Sequence, residues 1–204
     1  VEEAGCPCFS PRVMMRGIER GSHPMKNLTR IVLAVLAVGV LAAAAQAKSF
    51  FKPGEPAPSF SLETLDGQTI SLAQYKGKVV VLGLFHICEP CLIQGTELQK
   101  VHQAMQGRNV QVLGVNSAGN SKEKVKEFLH EFPLKVTYPY MIDPKKETDK
   151  LYGGGRFIPN VYIIDQQGII RWQRVGTMEI GGADIIKAEV EKLIAAGGKT
   201  GGTL

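Results

Sequence analysis

The sequence predicts an α/β domain: a mixed central sheet flanked by helices on both faces, with a β-hairpin added on its amino-terminal side. Three observations predict it. Two continuous apolar runs, KVVVLGLF (78–85) and NVQVLGVNS (109–117), have the β-branched composition of strands buried on both faces. Each precedes a segment of helical periodicity, an order that implies parallel pairing through crossovers. Two alternating runs joined by a turn, NVYIID-QQG-IIRWQRV, then read as a closing hairpin.

Each element has its own signal. KSFFKPGEPAPSF (48–60) carries three prolines and reads as an extended lead-in. FSLETL and QTISL flank Asp66-Gly67, a hairpin turn between alternating segments. After the first buried strand, PCLIQGTELQKVHQAM (90–105) places Leu92, Leu98, Val101 and Met105 near helical spacing. Pro90 suits a first helical turn, where its missing N–H costs nothing, and Gly95 weakens the helix slightly. In SKEKVKEFLHEF, Ser121 is a helix cap, and Val125, Phe128, Leu129 and Phe132 form one stripe. TYPYMID is a short strand or extended link, and PKKETDKLY a short helix stopped by Gly153-Gly154-Gly155. A last helix runs from about Ala183 to Ala196, and its glycine-rich tail is expected to fray.

The chain has 204 residues, 44% hydrophobic and 21% charged, as in an ordinary globular protein rather than a disordered one. Its net charge of +5 is mild, and no basic run interleaved with aromatics points to nucleic acid. One segment is strongly biased. From Met25, a basic start with Lys26 and Arg30 leads into an apolar run, Ile31 to Ala45, and then Ala45-Gln46-Ala47. That is the order of a secretory signal, and the run is short for a membrane span. We therefore divide the chain into 1–24, an over-called or non-native leader; 25–47, a signal peptide; and 48–204, the domain. The signal places the domain outside the cytoplasm, in the periplasm or its equivalent. Contact with the membrane is expected only if the signal stays uncleaved. Cys6-Pro7-Cys8 in the leader is a weak metal signal.

From Lys48 onward the only cysteines are Cys88 and Cys91, in the window HICEPC. A bridge across two residues closes almost no loop, so a structural staple is a poor reading. A thiolate is the attacking species in disulfide exchange, and an exposed N–H turn at a helix start stabilises an anion. Cys88 lies at such a turn and is the expected nucleophile; Cys91, on the same side of the helix start, is the expected resolving thiol. Glu89 between them disfavours a second negative charge, which points to a reducing couple. His86 would raise the thiolate content if protonated.

KGKVVVLGLFHICEPC, the later RFIPNVYIIDQQGII and the order of elements between them resemble the thioredoxin superfamily, specifically its exported TlpA/ResA-like thiol–disulfide oxidoreductases. The resemblance spans about residues 53–195 and implies a thioredoxin-like fold. It also implies that Pro159 is cis and lies against the cysteines, and that Ile158 offers backbone groups to a substrate segment. It further implies reduction of protein disulfides in the cell envelope, apocytochrome c cysteines among them, and recharging by a membrane electron donor. No cofactor or metal is expected. Three positions depart from the family: Ile87 where a tryptophan is usual, Gln94 where many relatives carry glutamate, and Leu82 where cytoplasmic thioredoxins bury an aspartate. No clear general base then remains near Cys91, although water or His86 can substitute.

Three other readings stand beside this one. A copper-binding chaperone of the Sco type would use Cys88 and Cys91 as soft ligands, but such proteins use a longer cysteine spacing and a late histidine. A peroxiredoxin-like peroxidase would need threonine three residues before its reactive cysteine, where this chain has Phe85. A redox-inert interaction domain would retain the fold alone.

Overall fold

The computed structural model describes residues 53–153, 158–178 and 181–200. The segments 1–24 and 25–47, with their proposed leader and signal, lie outside the described residues, as do Gly154 and Gly155. Seven strands form one sheet: β1 (Ser61–Thr64), β2 (Thr69–Ser71), β3 (Val79–Phe85), β4 (Val110–Asn116), β5 (Tyr140–Ile142), β6 (Asn160–Ile164) and β7 (Ile170–Val175). Their spatial order is β2-β1-β5-β4-β3-β6-β7. The helices are α1 (Glu89–Ala104), α2 (Lys122–His130), α3 (Glu147–Leu151) and α4 (Gly182–Thr200), with a 3-10 turn at Leu72–Tyr75.

The centre of the sheet is parallel. β3 pairs with β4 from Val79↔Val110 to Phe85↔Asn116, and β4 with β5. β6 runs antiparallel to β3 on its other side, and β7 pairs antiparallel with β6. All seven residues of β3 are buried, which is why its sequence shows no polar alternation. Its odd-numbered residues Val79, Val81 and Phe85 face a core built from α1, α2 and α4. Its even-numbered residues Val80, Leu82 and Leu84 face a second core with Tyr152, Tyr162 and Ile170. Helical cover is therefore unequal: three helices lie on one face, while the other has the short α3, the 3-10 turn and strand side chains. Leu82 belongs to the second core, and an aspartate there would need a partner that an apolar cluster does not offer.

At the amino-terminal side β1 and β2 pair antiparallel around Gly67, whose φ of 84° is the left-handed conformation that glycine adopts at little cost. β1 also pairs with β5, so these strands form the edge of the main sheet rather than a separate ribbon. Ahead of them the entering chain is strapped to the β6–β7 turn: Gly54 N donates to Ile170 O, Ile170 N to Glu55 O and Ala57 N to Gly168 O. Gly77, just before β3, donates to Gln166 O in the same turn. The chain thus enters at the pole where β3 begins.

The helices follow their capping chemistry. Ser121 Oγ accepts the Lys124 N–H at the start of α2, and Val125 and Phe128 are buried. Phe132, expected in the same stripe, lies just past the end of α2, and its ring meets Phe128 edge-on at 5.2 Å. α3 ends at Leu151, and Gly153 follows with a φ of 117°. α4 runs on to Thr200, past the Ala196 limit expected from sequence, through two glycines that propensity disfavours.

Gly95 in α1 has a packing reason. A β-carbon there would collide with the Phe132 ring, and Tyr138 Oη, which donates to Gly95 O at 3.3 Å, would be crowded. Alanine would gain up to about 1 kcal/mol of helix propensity, but overpacking a closed core costs about 1–3 kcal/mol. Gly95→Ala should therefore destabilise the domain, lowering the urea unfolding midpoint. An unchanged or raised midpoint would mean that Phe132 yields freely.

Candidate active site

β3 ends at Phe85, and the chain turns into α1 within three residues, at the carboxyl end of two parallel strands. Such an end is where open α/β sheets place their reactive groups. Cys88 is the N-cap of α1, in an extended conformation (φ −162°, ψ 154°), with Pro90 in the first turn. Its carbonyl accepts the N–H of Cys91 at 3.0 Å and of Leu92 at 3.2 Å, which closes the turn. Both thiols are free; Cys88 is half-buried and Cys91 fully buried. Glu89 and Pro90 are exposed. The two cysteines therefore differ in access: one meets solvent at the helix start, and the other is sealed beneath it.

Burial pushes the Cys91 thiol well above the usual thiol range, and its hydrogen bond with Cys88 adds to the rise. The opposing influence is the backbone N–H of His86, which donates to Cys91 Sγ at 3.4 Å. The His86 ring reaches Asp149, whose Oδ1 lies 3.4 Å from Nε2. Asp149 also accepts the hydroxyl of Ser117 at 3.2 Å. Ser117 follows β4 and its N–H donates to Phe85 O, so β3, β4 and α3 all contribute to this cluster.

The remaining predicted residues lie at the same pole. The Ile158–Pro159 peptide is cis, Pro159 is buried and Ile158 half-buried. Asn160 pairs with Leu84, so the register sets Pro159 beside the end of β3; Gly176 N donates to Pro159 O at 2.8 Å. Ile87 and Ile93, 39% and 42% exposed, flank the cysteines with apolar surface. Gln94 is fully buried: its Oε1 accepts the Met178 N–H at 2.9 Å, while its Nε2 has no hydrogen-bond partner among the described residues. One helical turn on, Glu97 accepts the Ala183 N–H near the start of α4 and pairs with Lys100. This carboxylate lies where a helix start favours one.

Sequence reasoning missed Asp149, Ser117 and Glu97. His86 and Asp149 are 63 residues apart, and no local spacing signals their meeting. Only the strand order, which brings the ends of β3 and β4 beside α3, could have pointed to it.

Tyr138 and Tyr140, fully buried, are raised by burial in the same sense as Cys91. The unfolded chain releases such protons at about pH 8.5 for thiols and about 10 for phenols, while the folded chain keeps them. Their contribution is complete below those values and is lost as pH rises through them toward the folded-state values. The reduced protein should lose stability from about pH 8.5 upward, by at most about 1.4 kcal/mol per pH unit for each group. Urea titrations of wild type and Cys91→Ala test this: the variant should delay the onset toward pH 10, and identical curves would contradict a buried, protonated Cys91.

Residues 53–173 match the model of the AhpC/TSA family. The chain is 31% identical over 149 residues to the thiol-disulfide oxidoreductase ResA of Geobacillus thermodenitrificans, covering 72% of this chain and 83% of that one. It is 36% identical over 128 residues to the thioredoxin-like protein YneN of Bacillus subtilis, covering 61% and 72%. Among solved structures, a thiol:disulfide interchange protein of the DsbE kind from Chlorobium tepidum superposes with a TM-score of 0.60 at 26% identity, covering 72% of this chain and 98% of that one. A strand–helix handover carrying a paired thiol, on a sheet shared with these proteins, places the chain in the thioredoxin-like AhpC/TSA family as a ResA-like thiol–disulfide oxidoreductase.

Proposed function

We propose that this oxidoreductase reduces protein disulfides outside the cytoplasm, with Cys88 as the attacking thiol and Cys91 as the resolving one. The observation that carries this reading is the difference in access between the two thiols: Cys88 half-buried at the N-cap of α1 and Cys91 sealed beneath it. In the forward direction the Cys88 thiolate attacks a substrate disulfide, and one substrate sulfur leaves as a thiolate and takes up a proton. The mixed disulfide on Cys88 is then attacked by Cys91. The second substrate thiol departs and the Cys88–Cys91 disulfide forms, so two electrons pass from the pair to the substrate. An external dithiol, on this reading a membrane electron donor, restores the pair.

Substrate capture follows from the same surroundings. On this reading Ile158 and Pro159, which the pairing of Leu84 with Asn160 sets beside the end of β3, form a substrate groove with Cys88, and Ile158 offers its backbone to an extended segment. Ile87 and Ile93, both exposed, add apolar surface beside the cysteines for such a segment. Glu89, exposed in the first turn, opposes a second negative charge at Cys88 and so tunes the couple toward reduction, although solvent screens it. Pro90 fixes the first turn. Export through residues 25–47 fits a disulfide-handling role, and the thiols of apocytochrome c are a substrate of the right class. A peroxidase reading is weakened by Phe85, which is wholly buried and stacks on Tyr140 at 6.0 Å, leaving no polar group at that position to orient a peroxide.

The decisive measurement is the reduction potential of the Cys88–Cys91 couple in glutathione buffers. It should lie nearer the roughly −270 mV of thioredoxin than the roughly −120 mV of the oxidant DsbA. A potential as high as the latter would overturn the reductase assignment. In parallel, Cys88→Ser should abolish reduction of a protein disulfide such as that of insulin, while Cys91→Ser should accumulate a mixed disulfide detectable by mass.

A further inference from the structure

α1 carries its buried residues in one row, in which Cys91, Gln94 and Leu98 follow one another at helical spacing. Two polar side chains on this side of the helix reach the same neighbour. Gln94 Oε1 accepts the Met178 N–H at 2.9 Å, and Glu97 Oε2 accepts the Ala183 N–H at 2.8 Å. Both donors belong to the stretch that leads from β7 into α4. That stretch begins at Gly176, whose N–H donates to Pro159 O at 2.8 Å. Gln94 and Pro159 are therefore joined through the backbone from Gly176 to Met178, with a hydrogen bond at each end.

Closing the turn into α4 requires only the Glu97 bond. Glu97 meets the first turn of α4 and is itself held by Lys100 at 2.6 Å. The Gln94 bond falls at the opposite end of the stretch, two residues from Gly176. Its working atom is the oxygen, since Nε2 has no hydrogen-bond partner among the described residues. Met178 is buried in the same core as Cys91, so the bond is shielded from water. α1 is continuous from Glu89 to Ala104, and an anchor at Gln94 therefore also fixes the helix start that carries Cys88. One end of this brace holds the helix of the attacking thiol, and the other holds the residue next to Ile158.

We propose that Gln94 is a positioning residue for substrate capture: its amide oxygen, acting through the backbone of residues 176–178, sets Ile158 and Pro159 against the start of α1. An extended segment can then pair with the Ile158 backbone while its disulfide meets Cys88. The inference rests on the reading of the pair as a reductase of protein disulfides, with Ile158 in the substrate groove. Gln94 touches neither thiol nor substrate, and its effect is on where they meet. A disulfide too small to use the groove is therefore indifferent to it.

The test compares two oxidants of the reduced full chain carrying Cys6→Ser and Cys8→Ser. One is a chromophoric aryl disulfide, which reacts at Cys88 without filling the groove. The other is insulin, with the reaction sampled by acid quenching and thiol counting. Gln94→Met keeps the length of the side chain and lacks the acceptor. In this variant the second-order rate constant with insulin should fall about three- to tenfold, the worth of about one backbone hydrogen bond between groove and segment, while that with the aryl disulfide changes by less than about twofold. Gln94→Glu retains an oxygen at the same reach and should restore the insulin rate in part, which a defect of packing alone would not allow. Equal losses with both oxidants, or an unchanged insulin rate, would overturn the proposal. Should Gln94→Met not fold, Gln94→Asn, whose amide falls one carbon short of Met178, is read in the same way: a loss confined to insulin supports the brace, and parity between the oxidants overturns it. A wild type that the aryl disulfide oxidises and insulin does not would refute the protein-disulfide reading itself, and the brace with it.

Discussion

The site depends on the sealing of one sulfur atom beneath the first turn of a helix. β3 is buried along its whole length, so its end at Phe85 lies deep in the domain, and α1 must begin almost at once. Cys88 and Cys91 fall on either side of that handover. The same backbone that closes the turn through Cys88 O also points the His86 N–H at Cys91 Sγ. The asymmetry between an accessible and an inaccessible thiol is therefore a property of the strand–helix junction, and the side chains around it adjust what the backbone has already arranged.

Much of this was legible in the sequence because the signals are local. A run such as KVVVLGLF with no polar alternation reads as a doubly buried strand, and a proline such as Pro90 suits the first turn of a helix. Ser121, Gly67 and the stripe on α2 carried their own chemistry, and their elements formed where that chemistry put them. What escaped was set by topology. Asp149 lies on a five-residue helix with no feature of its own, and it meets His86 only because β4 and β5 are interposed in the order they are. Gly95 read as a weak point in α1, whereas the ring of Phe132 closes over it; that contact joins α1 to the segment just after α2, and no single-segment pattern contains it. The unequal cover of the sheet was hidden for the same reason, since periodicity says that a helix has an apolar face and not which side of the sheet the face meets.

The departures from the wider family fall at two kinds of position. Ile87 is on the surface, where a branched aliphatic stands in place of a flat ring. Gln94 is in the interior, where its amide oxygen accepts the Met178 N–H. The carboxylate at Glu97 and the pair at His86 and Asp149 show that charge has not left the neighbourhood of α1 but has been placed differently around it.

The straps between residues 54–57 and the β6–β7 turn fasten the incoming chain to the end of the sheet where β3 begins, and Cys88 lies where β3 ends. The domain thus has a holding end and a working end, separated by the length of its central strand.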